Sequence, residues 1–118
     1  MSLLDEMKEL GVNVDEGLKR FMGNSSLYER MFGSFVKMIN KSLVDPDFDA
    51  NDYQEVIEKT HAIKGATGNL SITPLYEGYS KIVSLLREDK PEEAREILKN
   101  ILPVQAEIVS CIEKHIES

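Results

Sequence analysis

The chain has 118 residues, enough for one domain with a buried core, and its formal net charge of −7 disfavours nucleic acid or anionic lipid as a partner, since both demand a basic surface. Proline is sparse, no alternating run marks a strand, and apolar residues recur at intervals of three and four almost from end to end, so an all-α domain over residues 1–118 is expected. The single cysteine, Cys111, excludes an internal disulfide, no Cys/His cluster has zinc spacing, and an acidic start without any apolar run of membrane length predicts a cytoplasmic protein with no membrane span.

Residues 3–10 predict a first short helix closed by Gly11. Asn13 followed by Glu16 is a capping-box pattern that opens a second, with Val14, Leu18, Phe21 and Met22 on one side and Gly23 and Asn24 as the stop. Ser26 with Glu29 repeats the capping signal. From there Leu27, Met31, Phe35, Met38 and Ile39 trace a stripe that runs to about residue 43, where Asp45-Pro46-Asp47 breaks the chain.

The next helix is expected to start at Asn51 with Gln54, or at Asp49, and its stripe is Tyr53, Val56, Ile57, Thr60, Ile63, Thr67 and Leu70. Thr73 is the expected cap of the following helix, with Pro74 in its first turn. Leu75, Tyr79, Ile82 and Leu86 form that helix's stripe, and Tyr76 is assigned to packing along with Tyr79. After the break at Asp89-Lys90-Pro91-Glu92, a last helix presents Ala94, Ile97, Ile101, Ile108 and Ile112, broadened by Leu98, Val109 and Ile116, and Pro103 is expected to bend it. Short links between the later helices make neighbours antiparallel. The expected fold is therefore an all-α, antiparallel up-down-up-down four-helix bundle with one or two short N-terminal helices, of a size that can stand as a monomer.

One segment, Thr60 to Leu70, carries features that folding does not require. Gly costs about 1 kcal/mol relative to Ala in a helix interior, yet Gly65 and Gly68 both occur here, close to His61. With successive side chains about 100° apart, His61 falls roughly 120° from the centre of the apolar stripe and faces solvent. Gln54, Glu58, Gly65 and Gly68 share its side, and Lys64 lies between that side and the core. An exposed imidazole is mostly neutral near pH 7 and keeps a lone pair for nucleophilic attack. The two glycines leave a bare landing surface for another protein, and Lys64 is placed to offset the charge of an attached phosphoryl group. Close helix packing is the competing reading of the glycines; their direction away from the stripe favours access.

His61-Ala62-Ile63-Lys64-Gly65, followed by Gly68-Asn69-Leu70, resembles the signature of the histidine-containing phosphotransfer domains, H-x-[LI]-K-G-x-x-x-x-L-G. The likeness extends to the segment from Gly17 to Asn24 with Tyr28, and to Arg87-Glu88-Asp89 with Glu92-Glu93-Ala94, and so covers nearly the whole chain. The resemblance implies a helical bundle in which His61 is phosphorylated, taking the group from a response-regulator receiver aspartate or from a hybrid histidine kinase and passing it on. It also implies that Lys64 assists at the phosphoryl group, that Gly65 admits the partner and that Gly68 keeps the surface open. The receiver is expected to bring the magnesium ion, so no metal and no cofactor are expected of this chain. Ser71 departs from the family, which has glycine after the leucine, and Val83 stands where many relatives carry an acid.

Other readings have less behind them. His115 lies on the apolar side of the last helix near its end, where a packed or capping histidine is expected. Asp15-Glu16 and Glu92-Glu93 sit at helix starts and favour the dipole there. Neither glycine-rich nucleotide motif occurs, so the chain is expected to be a phosphocarrier with no ATP-dependent kinase activity of its own. The alternative is a helical adaptor that binds receivers or other proteins through the same face without phosphoryl exchange. A small acid-base enzyme would need a pocket around His61.

Overall fold

Serine and asparagine side chains start the first three helices. The computed structural model describes residues 2–116, and among them every regular element is a helix. In α1 (Leu3–Glu9) the Ser2 hydroxyl accepts the Asp5 N–H at 3.2 Å. In α2 (Val14–Arg20) only half of the expected capping box forms: Asn13 Oδ1 accepts the Glu16 N–H at 3.2 Å, but the Glu16 carboxylate accepts from the Asn13 side-chain amide at 3.4 Å, and the Asn13 backbone N–H donates to the Ser71 carbonyl at 2.9 Å. In α3 (Ser25–Lys41) the cap is Asn24, which accepts the Leu27 N–H at 3.0 Å. The predicted cap, Ser26, is already inside the helix; Asn24 has the extended backbone, φ −82 and ψ 92, that a cap requires.

The later helices start differently from expectation. No side chain caps α4 (Gln54–Asn69). Asn51 instead belongs to the turn ahead of it, where its N–H donates to Asp49 Oδ1 at 2.8 Å. In α5 (Thr73–Arg87) Thr73 is the first helical residue, not the cap, and its hydroxyl donates to the Ser71 carbonyl at 3.4 Å; Pro74 sits in the first turn, where a missing N–H leaves no helical bond unmade. The 26 residues of α6 (Pro91–Ile116) rise about 39 Å, which accounts for most of the 43 Å long dimension of the molecule.

Among the described residues, four helices end on a left-handed residue: Gly11, Met22, Ser71 and Asp89. At the end of α4 the Ile72 N–H reaches the Thr67 carbonyl at 2.9 Å and the Ser71 N–H reaches that of Gly68 at 3.2 Å, the paired bonds of a Schellman motif. Only one of the four is glycine. A β-carbon in this conformation costs roughly 1–2 kcal/mol; Ser71 and Asp89 are held by side-chain hydrogen bonds with Glu16 and Tyr53, and Met22 by the backbone bonds of the helix end, the Gly23 N–H reaching the Leu18 carbonyl at 2.7 Å. Met22, expected on the apolar side of α2, is turned outward by this geometry and is 94% exposed.

α5 packs along both α4 and α6, α3 packs on α6 and touches α4, and α1 docks on α6. Tyr28 and Phe32 of α3, Ile63 of α4, Tyr79 of α5 and Ile108 of α6 are buried together. In α6 the buried line is Ala94, Leu98, Gln105, Ile108 and Ile112. Leu98 is therefore at the centre of the stripe it was expected to broaden, while Ile97 and Ile101 lie at its edge. Gln105 is tolerated there because its side-chain oxygen accepts the Tyr79 hydroxyl, the only polar atom that ring brings into the core. Among the described residues, no helix is long and apolar enough to cross a membrane.

Candidate functional site

α4 carries an apolar stripe interrupted by two threonines. Thr60 and Thr67 are fully buried, and each satisfies its hydroxyl within its own helix, donating to the Val56 carbonyl at 2.8 Å and the Ile63 carbonyl at 2.9 Å. Neither therefore needs a polar partner across the core. With Thr60, Ile63, Thr67 and Leu70 turned inward, His61, Gln54, Glu58 and Gly65 are exposed and Lys64 is half-buried at the edge.

The two glycines differ. A β-carbon at Gly65 would meet nothing within 4 Å, so the surface beside His61 is bare there. At Gly68 a β-carbon would stand 2.9 Å from both Cδ1 and Cε1 of Tyr76. Gly68 is thus half-buried against the Tyr76 ring, and the bare strip that begins at Gly65 narrows there; its missing side chain accommodates an aromatic from α5. Tyr76, assigned to packing along with Tyr79, does pack on α4 through Gly68, but it is 40% exposed and forms part of this face. Both corrections have one cause. Periodicity places a residue on a face of its own helix, and it cannot show which neighbouring side chain folds across that face.

The face is hollowed where side chains of α2 and α5 approach α4. An open depression of about 660 Å³ is lined by His61, Lys64, Gly65, Ala66, Gly68 and Asn69 of α4, by Tyr76 of α5, and by Glu16 and Arg20 of α2. Glu16 joins the two parts. Its carboxylate accepts the Ser71 hydroxyl at 2.9 Å and Arg20 Nη2 at 3.2 Å, and these bonds hold its pKa below the ordinary carboxylate range. Ser71, left-handed at φ 58 where glycine would be relaxed, has this bond as compensation. The depression therefore combines one nucleophilic ring, two cations in Lys64 and Arg20, and one carboxylate already engaged. Its two cations can receive an anionic group beside the imidazole. Compared with family models, with curated proteins and with solved structures, the chain matches none.

Glu16 and Arg20 carry no sequence signal that links them to His61. Glu16 is legible only as a capping residue, because the Ser71 bond that brings it to the site spans 55 positions. Gln54 and Glu58 are exposed on α4, but neither lines the depression. His115 is half-buried near the end of α6, and its Nε2 pairs with the Glu6 carboxylate of α1. Cys111 and Lys114 converge on the same carboxylate, an association that no local spacing in the sequence marks.

Proposed function

We propose that this protein is a histidine phosphotransfer protein that carries a phosphoryl group on His61 between receiver-domain aspartates, or from a histidine kinase to a receiver. The observation that carries the reading is His61 exposed on α4 beside bare Gly65, in an open depression with Lys64 and Arg20. In the transfer, a lone pair of the His61 ring attacks the phosphorus of the partner's aspartyl phosphate. The N–P bond forms as the P–O bond to the aspartate breaks, and the carboxylate leaves with the electron pair. The cations facing the depression offset the charge of the carried group, and the open rim admits a second folded protein.

On this reading α3 to α6 form an antiparallel up-down-up-down bundle with α1 and α2 against it. The three-residue links 70–72 and 88–90 and the packing of α5 on both α4 and α6 support that arrangement. The protein is a single-domain, cytoplasmic, monomeric carrier of the histidine-containing phosphotransfer family, without its own ATP-dependent kinase activity.

Incubation with a phosphorylated receiver domain should label the chain with acid-labile, alkali-stable phosphate, and His61→Gln should abolish labelling. Normal labelling of His61→Gln would refute the assignment. A variant that no longer labels yet binds receivers and signals as before would favour an adaptor.

A further inference from the structure

A second cluster of chemically capable side chains lies where α1 meets the end of α6. Cys111 and His115 are four residues apart on α6 and so share one face of it, and Glu6 reaches them from α1 across 105 and 109 positions of sequence. The thiol sulfur, one carboxylate oxygen and one imidazole nitrogen lie within 4.8 Å of one another. We propose that Glu6, Cys111 and His115 form a binding site for one divalent cation of the zinc class, which clasps α1 to α6.

The spacing fits such an ion. In a tetrahedral zinc site with bonds of about 2.0–2.3 Å, adjacent donor atoms stand roughly 3.3–3.7 Å apart. Cys111 Sγ and Glu6 Oε2 are already 3.5 Å apart. Glu6 Oε2 and His115 Nε2 are in hydrogen-bond contact and separate as the ion enters between them, exchanging one hydrogen bond for two coordinate bonds. Lys114 Nζ holds the other carboxylate oxygen, Oε1, at 3.1 Å and so orients Oε2 toward the sulfur and the ring. An outer-shell donor of this kind is a regular part of metal sites.

The donor set selects the ion. One sulfur, one nitrogen and one oxygen suit zinc or cobalt, while magnesium and calcium require oxygen-rich surroundings. The Glu6 and His115 side chains are 21% and 24% exposed, which leaves a route for the ion and a fourth position for water. On binding, the Cys111 S–H bond breaks and a sulfur–metal bond forms, and the proton passes to solvent. Because α1 and α6 supply different donors, the bound ion would couple the first helix to the last.

Cobalt(II) titration of the full chain tests this. Binding of one ion with a thiolate-to-cobalt charge-transfer band in the near ultraviolet, displaced by zinc, is the expected result. Cys111→Ser should remove the band, and His115→Gln should weaken binding by more than the roughly 10- to 100-fold that loss of an outer-shell partner costs. His61→Gln, which removes the other imidazole, should retain both band and affinity. In the unsubstituted chain, zinc should slow alkylation of Cys111 at least about tenfold, as expected when the thiolate lone pair is taken up by the ion. No charge-transfer band, binding that survives both Cys111→Ser and His115→Gln, or alkylation unchanged by zinc would overturn the site and leave the cluster a hydrogen-bonded network.

Discussion

Gly17 of α2 and Tyr28 of α3 are interlocked: a β-carbon on Gly17 would stand 2.1 Å from the Tyr28 hydroxyl oxygen and 2.3 Å from Cζ. Tyr28 is fully buried and its hydroxyl donates to the Leu70 carbonyl at 2.7 Å, so the ring cannot withdraw without losing that bond. Gly17→Ala should therefore destabilise the fold by about 1–3 kcal/mol through overpacking, despite the better helix propensity of alanine. Gly65→Ala has the opposite sign. Open space surrounds that position, and the substitution should stabilise by about 0.5–1 kcal/mol. Urea midpoints of the two variants measure both effects, and equal shifts would contradict the contrast.

Large side chains at position 65 separate folding from transfer. Gly65→Gln should keep or raise helicity by circular dichroism while phosphoryl transfer falls at least about tenfold, the loss expected from about 1.4 kcal/mol of hindered docking. Transfer at the original rate would remove the access role of Gly65. At position 68 the readout differs, because Gly68→Ala displaces the Tyr76 ring and should alter Tyr76 fluorescence.

Burial pushes the Tyr28 phenol up to about 12, with the Glu16 charge adding to the effect. A raised folded pKa means that the contribution to stability is complete below the ordinary phenol value and is lost as pH rises toward the folded one. Alkaline unfolding between about pH 10 and 12 should be less steep in Tyr28→Phe than in the natural chain. Near neutral pH the same variant should lose about 1–2 kcal/mol for the Leu70 carbonyl left without its donor.

Glu16 titrates in the other direction. Its folded pKa is lowered by the Ser71 hydroxyl and then by Arg20, so its contribution is present above the ordinary carboxylate range and disappears as pH falls through the lowered value. Glu16→Gln should be less stable than the natural chain at neutral pH, and acid should erase the difference. Ser71→Ala, which keeps the left-handed backbone and loses the bond, should cost about 1 kcal/mol, whereas Ser71→Gly should be near neutral because relief of strain offsets the lost hydrogen bond. Thermal midpoints across pH check both sets.

The repeating apolar spacing made the helices and most of their inward faces legible, because a core-facing stripe is a local property of sequence. Ile63 and Thr67 in α4, Leu70 at its end, and Leu75, Tyr79, Ile82 and Leu86 in α5 are all buried as their spacing requires. Caps were harder to place. Asn24, Ser26 and Asn51 are all competent capping residues, and the geometry of the preceding turn selects among them. The candidate site was legible only along α4. His61, Lys64 and Gly65 lie on one helix, whereas Arg20, Glu16 and Tyr76 arrive from other elements through packing that periodicity does not encode. The Glu6, Cys111 and His115 cluster was hidden for the same reason: two of its members show a helical spacing, and the third comes from the opposite end of the chain.

The contact between Glu6 and Lys114, 3.1 Å, joins positions 108 residues apart. A polypeptide entering through α1 and leaving through α6 thus does so within about a helical turn or two of a single spot. The first and last helices share one stretch of surface, and a change at Glu6 of α1 is felt at the far end of α6 although most of the chain lies between them.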